Sequence, residues 1–369
     1  MKKTLRWWDP RIGALEKKFI ARALESHFPN EGKMTGLFEK RIAALTGSRY
    51  AVAVTNGTAA IFLSLKALGV GPGDEVIVPD ITFIATANAV EMCGAKPVLT
   101  DVDPATICMG PANFRKAVTK KTKAVIPVHV SGRACDMAGI ARVAKAHSVD
   151  IVEDAAEAFM SKHKGIFLGT FGRTGCFSFS PNKTITTGQG GIIVTDDRKL
   201  YTRLRELKDQ GRPSRGTGGD DLHNSIGYNF KFTDLQAAVG LGQLSYLKRR
   251  LARMKSIYRA YVNGLEGVKG ISLFKSNLEK GEIPQWTDAL AERRDGLDAY
   301  LRAKGIDCRR YWFPVHRQKP YRIADRHFPE STRLSPRALW LPSAFTMSDS
   351  DVKRVCKHIR KFFLSGKKG

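Results

Sequence analysis

Short apolar segments alternate with amphipathic ones between residues 37 and 260, and this alternation constrains the fold more than any other feature of the chain. The apolar segments YAVAVT, DEVIVP, KPVLTDVD, TKAVIPVHV and VDIVEDA have the length and composition of buried strands. The segments between them, such as AAIFLSLKALGVG and MAGIARVAKAHS, carry apolar residues at helical spacing. Strands that alternate with helices of about 10–15 residues form right-handed βαβ units, so we predict an α/β fold with a mostly parallel central sheet.

The pattern changes near residue 250, and this change predicts a second domain. LSYLKRRLARMKSIYRAYVNGL predicts a long basic amphipathic helix, and a weaker α+β pattern follows it. A chain of 369 residues is also too long for one small core. We therefore predict a large α/β domain over residues 1–250, with an N-terminal arm over 1–36, and a smaller C-terminal α+β domain over 251–369. The Gly-, Pro- and Asp-rich stretch 211–225 predicts a functional loop.

The chain carries 61 Lys and Arg residues against 35 Asp and Glu residues, a formal net charge of +26. Such an excess raises the hypothesis of a nucleic-acid partner. The basic residues are spread along the chain, however, and neither zinc-finger spacing nor an aromatic-basic RNA-binding pattern accompanies them. We therefore expect a solvated basic surface and no nucleic-acid partner. The charge is also compatible with phosphate-bearing small molecules.

The sequence pattern indicates neither secretion nor membrane insertion. No apolar run reaches the roughly 18 residues of a membrane-spanning helix, and MKKTLRWWDPRIGALEKKF lacks the apolar core of a signal peptide. The six cysteines are widely spaced and show no metal-ligand pattern. We expect a cytoplasmic protein with no membrane partner and no metal site.

Polar residues follow several of the predicted strands, and ligands of open parallel sheets bind at the carboxyl ends of strands. Gly57 and Thr58 stand between a strand and a helix, where free N–H groups and a hydroxyl could bind an anion, although NGT is also an ordinary turn and helix cap. Glu153, Asp154 and Glu157 follow a buried strand. A buried, unpaired carboxylate is costly, so Asp154 has either a cationic or proton-bearing partner or a helix to cap. The segment favours neither interpretation.

Lys183 follows the next apolar segment, in SFSPNKTITTGQGG. One interpretation is an exposed turn lysine, and the other is a lysine that reacts with a cofactor aldehyde. A lysine at the edge of a sheet, near hydroxyls and a deep carboxylate, fits pyridoxal phosphate. Hydroxyls and a helix N-terminus would hold the phosphate of this cofactor, and the carboxylate would keep the ring nitrogen protonated.

Five segments, in the order TNGTAAI, PDITFIATANAV, VEDAAEAF, FSFSPNKTITTGQGG and GYNFKFTDLQAAVGLGQL, resemble the DegT/DnrJ/EryC1/StrS family of sugar aminotransferases. The similarity covers residues 37–321, and the last two motifs are specific. It implies an aspartate-aminotransferase-like (type I) fold and pyridoxal 5'-phosphate as the cofactor. Dehydratases of this family have histidine at the position of Lys183, so the lysine implies transamination.

The resemblance also implies roles for individual residues. Lys183 matches the lysine that binds the cofactor and moves the proton, and Asp154 matches the partner of the ring nitrogen. Gly57, Thr58 and Ser178 match the residues that hold the cofactor phosphate. Phe83 matches the aromatic residue that stacks on the cofactor ring, and Glu157 matches the group near the 3-hydroxyl of the cofactor. Asn229 matches the group that reaches the cofactor of the neighbouring subunit, and His316 matches the group near the sugar. Phe83 could instead be a core residue and His316 a structural one. The match of Asn229 implies an obligate homodimer with shared active sites.

Family membership implies a nucleotide-linked keto-sugar as the amino acceptor and L-glutamate, released as 2-oxoglutarate, as the donor. FKFTDLQAAVGLGQL, DAAEA and PVHVSGRACDM are more similar to the 4-keto-sugar enzymes than to the 3-keto group, so we expect a GDP-linked 4-keto-6-deoxyhexose and a product for surface polysaccharide. The N-terminal segment HFPNEGKMTGLFEKRIAA departs from the family pattern. Candidates for binding the diphosphate are Arg212, Arg215, Arg309, Arg310 and Arg317.

Two alternatives stay open. One is a dTDP-linked 3-keto-sugar as the acceptor. The other, suggested only by the net charge of +26, is a non-catalytic regulator or nucleic-acid-binding protein with the same fold. This second alternative predicts that the lysine or the aspartate is missing, and both residues are present.

Overall fold

The computed structural model describes residues 4–27, 29–213 and 221–365. In chain order, the helices and strands are α1 (Ala14–Glu25), α2 (Lys33–Thr46), β1 (Tyr50–Val54), α3 (Gly57–Ala67), β2 (Glu75–Pro79), α4 (Ala85–Met92), β3 (Lys96–Thr100), α5 (Pro111–Ala117), β4 (Thr122–Val125), α6 (Met137–His147), β5 (Asp150–Asp154), β6 (Lys162–His163), β7 (Ile166–Phe167), β8 (Thr174–Ser178), β9 (Gly191–Thr195), α7 (Arg198–Lys208), α8 (Asp234–Leu244), α9 (Leu247–Leu265), β10 (Ile271–Leu273), β11 (Thr287–Ala291), α10 (Arg294–Ala303), β12 (Arg309–Arg310), α11 (Pro329–Leu334), β13 (Ala338–Leu341) and α12 (Asp349–Ser365).

Seven strands form a central sheet in the spatial order β1, β9, β8, β5, β4, β2 and β3. β9 is antiparallel to both of its neighbours, whereas the strands from β8 to β3 pair in parallel. The predicted α/β class with a mostly parallel central sheet is therefore confirmed. The carboxyl ends of the parallel strands meet at one edge of the sheet, where the sequence motifs also lie.

Each face of the central sheet carries its own apolar core. Val52 and Val54 of β1 belong to one buried cluster with the apolar residues of α3. Ala51 and Ala53, which alternate with them and point to the other face, belong to a second cluster with Phe38 of α2. This burial on both faces explains the continuous apolar composition of the strands.

A second sheet of four antiparallel strands lies in the C-terminal part of the chain, in the order β10, β11, β13 and β12. Helices α10 and α12 pack on each other, and α10 also contacts β11. These strands and helices have the α+β composition expected of the C-terminal part, and its division into a separate smaller domain stays a prediction. Helix α9 crosses residue 250 and contacts both α12 and β10, so the predicted boundary between residues 250 and 251 stays a prediction.

The predicted N-terminal arm contacts both parts of the chain. Helix α1 packs on α8 of the large domain. The Leu5 N–H donates to the carbonyl oxygen of Gly305 at 2.9 Å, and the Asp307 N–H donates to the carbonyl oxygen of Leu5 at 2.8 Å. Trp8 lies in a buried cluster that includes residues of both sheets. The first described residues of the arm therefore join the small domain to the large one.

Several elements have no counterpart among the segments predicted from the sequence. They include helix α1, the hairpin of β6 and β7, and helix α7. The start of α7 has a clear signal, since the Asp197 side chain accepts the N–H groups of Lys199 and Leu200 as an N-cap. Of the predicted loop 211–225, residues 214–220 lie outside the described residues. Within the described ranges, no helix has the length and apolar character needed to cross a bilayer.

Candidate active site

A cavity of about 740 Å³ lies at the carboxyl edge of the parallel strands. Its walls come from the segments that follow β1, β2, β4, β5 and β8 and from the small sheet. The predicted site residues among its lining are Gly57, Thr58, Phe83, Asp154, Glu157, Ser178 and Lys183. Two larger cavities elsewhere, of about 1030 and 990 Å³, contain none of these residues. The candidate site is therefore identified by the reactive side chains that meet in it rather than by its volume.

The first wall of the cavity is the start of helix α3. Asn56 is the N-cap, and its Oδ1 accepts the Ala59 N–H at 2.9 Å. The N–H groups of Gly57 and Thr58 have no partner within the helix and are available to a ligand. A Cβ atom on Gly57 would lie only 3.0 Å from Cβ of Ser178, so glycine keeps this space open. Together these groups could hold a phosphate.

Asp154, the last residue of β5, is almost completely buried in the cavity wall. Its Oδ2 accepts the Thr86 hydroxyl at 2.8 Å, and its Oδ1 accepts the Ala156 N–H at 3.1 Å. Residues 155–161 form turns rather than a helix, so Asp154 is not a helix cap. Burial raises the pKa of this carboxyl, which the Thr86 hydrogen bond partly opposes. A protonated ligand nitrogen in the cavity would add a positively charged partner to these two neutral hydrogen-bond donors.

Glu153, one residue earlier on the same strand, has a structural environment. Its carboxylate accepts the N–H groups of Gly169, Phe171 and Gly172 at 2.8, 2.5 and 2.7 Å, and it lies 2.9 Å from Nε2 of His129. These bonds anchor the loop that precedes β8. Alternation along the strand thus directs Glu153 into the protein and Asp154 into the cavity.

Lys183 is largely but not completely buried, with a side chain 12% exposed, which excludes the interpretation as an exposed turn lysine. Its Nζ lies 3.3 Å from Oε1 of Glu157 and 5.1 Å from the ring centre of Trp286. The other oxygen of Glu157 accepts the Ser131 N–H at 3.0 Å. Burial raises the pKa of Glu157, and the neighbouring ammonium group of Lys183 opposes the shift. The amine is therefore held at a defined position in the cavity.

Phe83 is 54% exposed and lines the cavity, which excludes the alternative of a core phenylalanine. An exposed aromatic ring at the edge of a cavity can cover a flat ligand ring. The stacking role itself stays a prediction.

His316 does not line the cavity. It is completely buried, its Nδ1 lies 2.6 Å from Oδ2 of Asp80, and its Nε2 lies 3.0 Å from Oδ1 of Asp325. The backbone N–H of His316 also donates to Asp80 at 2.7 Å, and its ring stacks on Phe328. Since carboxylates engage both ring nitrogens, this geometry favours the structural alternative over a contact with the sugar.

Asn229 also lies outside the lining of the cavity in its own chain. It is exposed, it forms an isolated bridge with Asp209, and the adjacent Phe230 does line the cavity. An exposed position is compatible with contact to a second subunit, and the predicted shared active site stays a prediction.

The structure separates the five arginine candidates. Arg309 lines the cavity, whereas Arg310 pairs with Asp298 and Arg317 with Asp325. Arg212 is paired with the carboxylates of Asp209 and Asp221, and Arg215 lies outside the described residues.

Three tryptophans of the small domain, Trp286, Trp312 and Trp340, line the cavity although no sequence motif indicated them. Their ring centres are 4.9 Å apart for Trp286 and Trp340 and 5.0 Å apart for Trp312 and Trp340. The large-domain motifs lie at strand ends and are recognisable in sequence, but contacts across the domains depend on tertiary packing. Thr86, the partner of Asp154, stands within the segment PDITFIATANAV, but its contact with a strand 68 residues further along the chain also depends on tertiary packing.

The residues of the cavity match the chemistry of pyridoxal phosphate. A helix N-terminus with hydroxyls suits the phosphate, a buried carboxylate suits the ring nitrogen, and a buried amine lies within the same space. The α/β fold with this set of groups defines a pyridoxal-phosphate-dependent enzyme.

Comparison with known proteins gives the family. The model of the DegT/DnrJ/EryC1/StrS aminotransferase family matches residues 10–360, and the chain belongs to this family. It is 36% identical to a GDP-perosamine synthase of Escherichia coli O157:H7, over 96% of this chain and 98% of that protein. It is also 36% identical to a GDP-perosamine synthase of Caulobacter vibrioides, over 94% of this chain and 95% of that protein. Among solved structures, DesI in the presence of its TDP-sugar product is 31% identical, with a TM-score of 0.91 and coverage of 100% of this chain and 95% of that chain. The protein is therefore an aminotransferase of this family.

Proposed function

We propose that this aminotransferase moves the amino group of L-glutamate to a nucleotide-linked 4-keto-6-deoxyhexose, with GDP as the favoured nucleotide. The observation that carries the proposal is Lys183, buried beside Glu157 in the cavity that also contains Asp154. The similarity to two GDP-perosamine synthases, at 36% identity each, supports the 4-keto-sugar and the guanine nucleotide.

The groups of the cavity have separate tasks in this proposal. When bound, pyridoxal phosphate supplies an electron sink that makes the carbon next to the nitrogen acidic. Lys183 would hold the cofactor through its amine, and its Nζ would move the proton to and from that carbon. Asp154 holds the proton on the ring nitrogen, and Glu157 orients the amine through the 3.3 Å contact. The hydroxyls of Thr58 and Ser178 hold the phosphate.

The cavity also contributes binding surface, and bound cofactor and substrate would displace water from it. Phe83 covers one face of the ring, and Trp286 packs beside Nζ of Lys183. Exclusion of water strengthens each electrostatic contact around the reacting carbon.

We also propose a homodimer in which Asn229 completes the neighbouring site. Asn229 is exposed and has exposed apolar neighbours, with Leu222 at 67% and Ile226 at 85% exposure, and a subunit interface would bury them. Subunit mixing tests this idea. Lys183→Ala and an inactive Asn229→Ala protein should regain activity when they are co-refolded, because a mixed dimer keeps one intact site. Two inactive proteins that stay inactive in a mixture known to contain mixed dimers would refute shared sites.

The test of the cofactor role is spectroscopic. The purified protein should be yellow, with an absorption band at the edge of the visible region that borohydride changes. Lys183→Ala should lose the band that borohydride reduces, whereas Lys120→Ala, at an exposed lysine, should keep it. An unchanged spectrum in Lys183→Ala would contradict the assignment.

The test of the reaction is an assay with isotope-labelled glutamate and, in separate reactions, the GDP- or dTDP-linked 4-keto-6-deoxy sugar or a dTDP-linked 3-keto sugar. We expect the labelled amino group in the GDP-sugar product by mass spectrometry. A label only in a dTDP-linked or a 3-keto-sugar product would favour the alternative substrate. A protein that bound duplex DNA tightly at physiological salt and showed no cofactor band would favour the non-catalytic regulator.

A further inference from the structure

Arg309 lies on the two-residue strand β12, opposite Trp340 of β13, and it lines the cavity. Its guanidinium carbon is 4.9 Å from the ring centre of Trp7 and 5.6 Å from that of Trp340. Tryptophan faces attract a cation, so these two rings support the guanidinium at a defined position. Because the rings engage its faces, the N–H groups around its edge stay available.

The charges of the cavity leave Arg309 without a carboxylate partner. The charged residues of the described lining are Asp154, Glu157, Lys183 and Arg309. Lys183 pairs with Glu157 at 3.3 Å, but within residues 4–27, 29–213 and 221–365 no carboxylate oxygen lies within 4.0 Å of the Arg309 guanidinium. An unpaired, partly buried guanidinium that faces a substrate cavity is suited to a ligand oxyanion.

Arg310, the next residue, shows the contrast. Its Nε lies 2.9 Å from Oδ2 of Asp298 and its side chain is 50% exposed, so this charge is already satisfied at the surface. Alternation along β12 explains why two adjacent arginines differ. Arg310 therefore provides a matched control that shares the strand and the charge but not the cavity.

The N-terminal segment positions the support of Arg309. Trp7 contacts both Trp286 and Trp340, with ring centres 5.6 and 6.4 Å away. Trp8 donates its indole N–H to the carbonyl oxygen of Pro181 at 3.1 Å, two residues before Lys183. Consecutive residues of one segment thus contact the arginine and the turn that carries the reactive amine.

We propose that Arg309, supported by Trp7 and Trp340, binds an oxyanion of a substrate, because its planar guanidinium can donate two parallel hydrogen bonds to the paired oxygens that both carboxylates and phosphates present. The two candidate sources of the oxyanion follow from the proposed function, on which this proposal rests. They are a carboxylate of the dicarboxylic amino donor and a phosphate of the sugar nucleotide. Both substrates use the same cavity in separate half-reactions, and binding measurements distinguish them.

The experiment is titration calorimetry of the purified holoenzyme with 2-oxoglutarate and, separately, with GDP. In Arg309→Gln we expect about ten- to hundredfold weaker binding of one of these probes, since a charge-assisted hydrogen-bonded pair is lost. Arg309→Lys, which keeps the charge but not the bidentate fork, should weaken the same probe to an intermediate extent. Arg310→Gln should bind both probes as the wild type does. If Arg309→Gln does not fold, by circular dichroism, Arg309→Lys decides alone.

Weaker binding of 2-oxoglutarate to the Arg309 variants would identify the carboxylate of the amino donor as the ligand of Arg309. Weaker binding of GDP would identify the phosphate. Equal affinity of the wild type and the Arg309 variants for both probes would overturn the proposal, as would a wild type that binds neither probe. Failure of the proposed function is distinguishable from this result. A protein that loses probe binding in Arg309→Gln but never labels a nucleotide sugar would keep the anion site and refute the reaction.

Discussion

His316 offers the sharpest test of how this structure assigns roles, because the family resemblance implies a position near the sugar and the geometry favours a structural contact. The histidine joins residues 315–325 to the end of β2 through Asp80. Three residues beyond Asp80 lies Phe83, which lines the cavity. We therefore predict that His316→Gln lowers stability first and affects catalysis only through the displaced segment.

The magnitude follows from the burial of the pair. Both side chains are completely buried, and the ring nitrogen lies 2.6 Å from the carboxylate oxygen of Asp80. Removal of one partner from a buried pair costs about 3–5 kcal/mol, because the other group stays buried without compensation. Glutamine can replace part of the hydrogen bonding, so we expect about 3 kcal/mol. For a chain of this size that loss lowers Tm by roughly 4 °C.

The effect should depend on pH with a definite sign. Burial raises the pKa of Asp80 above its ordinary value, and hydrogen bonds from His316 lower it again. Loss of the imidazole therefore raises the Asp80 pKa further. An acid with a raised folded-state pKa contributes stability that is present below the unfolded pKa and is lost as pH rises through the folded pKa. The destabilisation of His316→Gln should accordingly be small near about pH 4.5 and largest near about pH 8.

The assay is urea unfolding of wild type and variant at both pH values, followed by steady-state kinetics under conditions where the variant is folded. His327→Gln, at an exposed histidine of the same segment, is the control and should stay within about 0.5 kcal/mol of the wild type. Unfolding curves equal to those of the wild type at both pH values, together with a large loss of kcat, would refute this reasoning and restore the role beside the sugar.

Three further predictions follow from buried contacts. Arg133→Met leaves the buried carboxylate of Asp288 without its cation and should cost about 3–5 kcal/mol, whereas adding Asp288→Asn should recover part of the loss in urea unfolding; strictly additive costs would contradict the pairing. Gly57→Ala places a Cβ atom 3.0 Å from Cβ of Ser178 and should weaken cofactor binding about tenfold in an absorbance titration, while unchanged affinity would argue against a phosphate cradle at this position. In the cofactor-free protein, the raised pKa of Asp154 makes the free energy of unfolding fall as the pH rises above the ordinary pKa of an aspartate, so Asp154→Asn should flatten the pH dependence of Tm. A dependence of Tm on pH equal to that of the wild type would contradict this assignment.

Several site residues were predictable because their sequence context reflects local structure. Gly57 and Thr58 follow β1, Asp154 ends β5, and Lys183 follows β8. Parallel strands bring their carboxyl ends to one edge of the sheet, so residues far apart in sequence meet there. The motif positions therefore predict most of the large-domain wall of the cavity.

Other features were not predictable because they depend on contacts between distant segments. The side chain of Trp286 reaches Nζ of Lys183 across more than a hundred residues of chain, and Trp7 reaches Arg309 from the other end of the sequence. Hydrophobic periodicity shows which face of an element is buried but not which element covers it. The same limit applied to His316, whose match to the family is recognisable in the sequence. Its two aspartate partners could not be recognised from the sequence.

The sequence by itself determined the α/β class, the mostly parallel sheet and the family, since these depend on local patterning and on motifs of consecutive residues. Only the tertiary structure decided that no helix follows Asp154, that Lys183 is buried against Glu157, and that Arg309 rather than Arg310 faces the cavity. The physical reason is that burial and ion pairing are properties of atoms brought together by long-range packing. An amine or a guanidinium has the same covalent structure on a surface and in a cavity, and only its neighbours determine its chemistry.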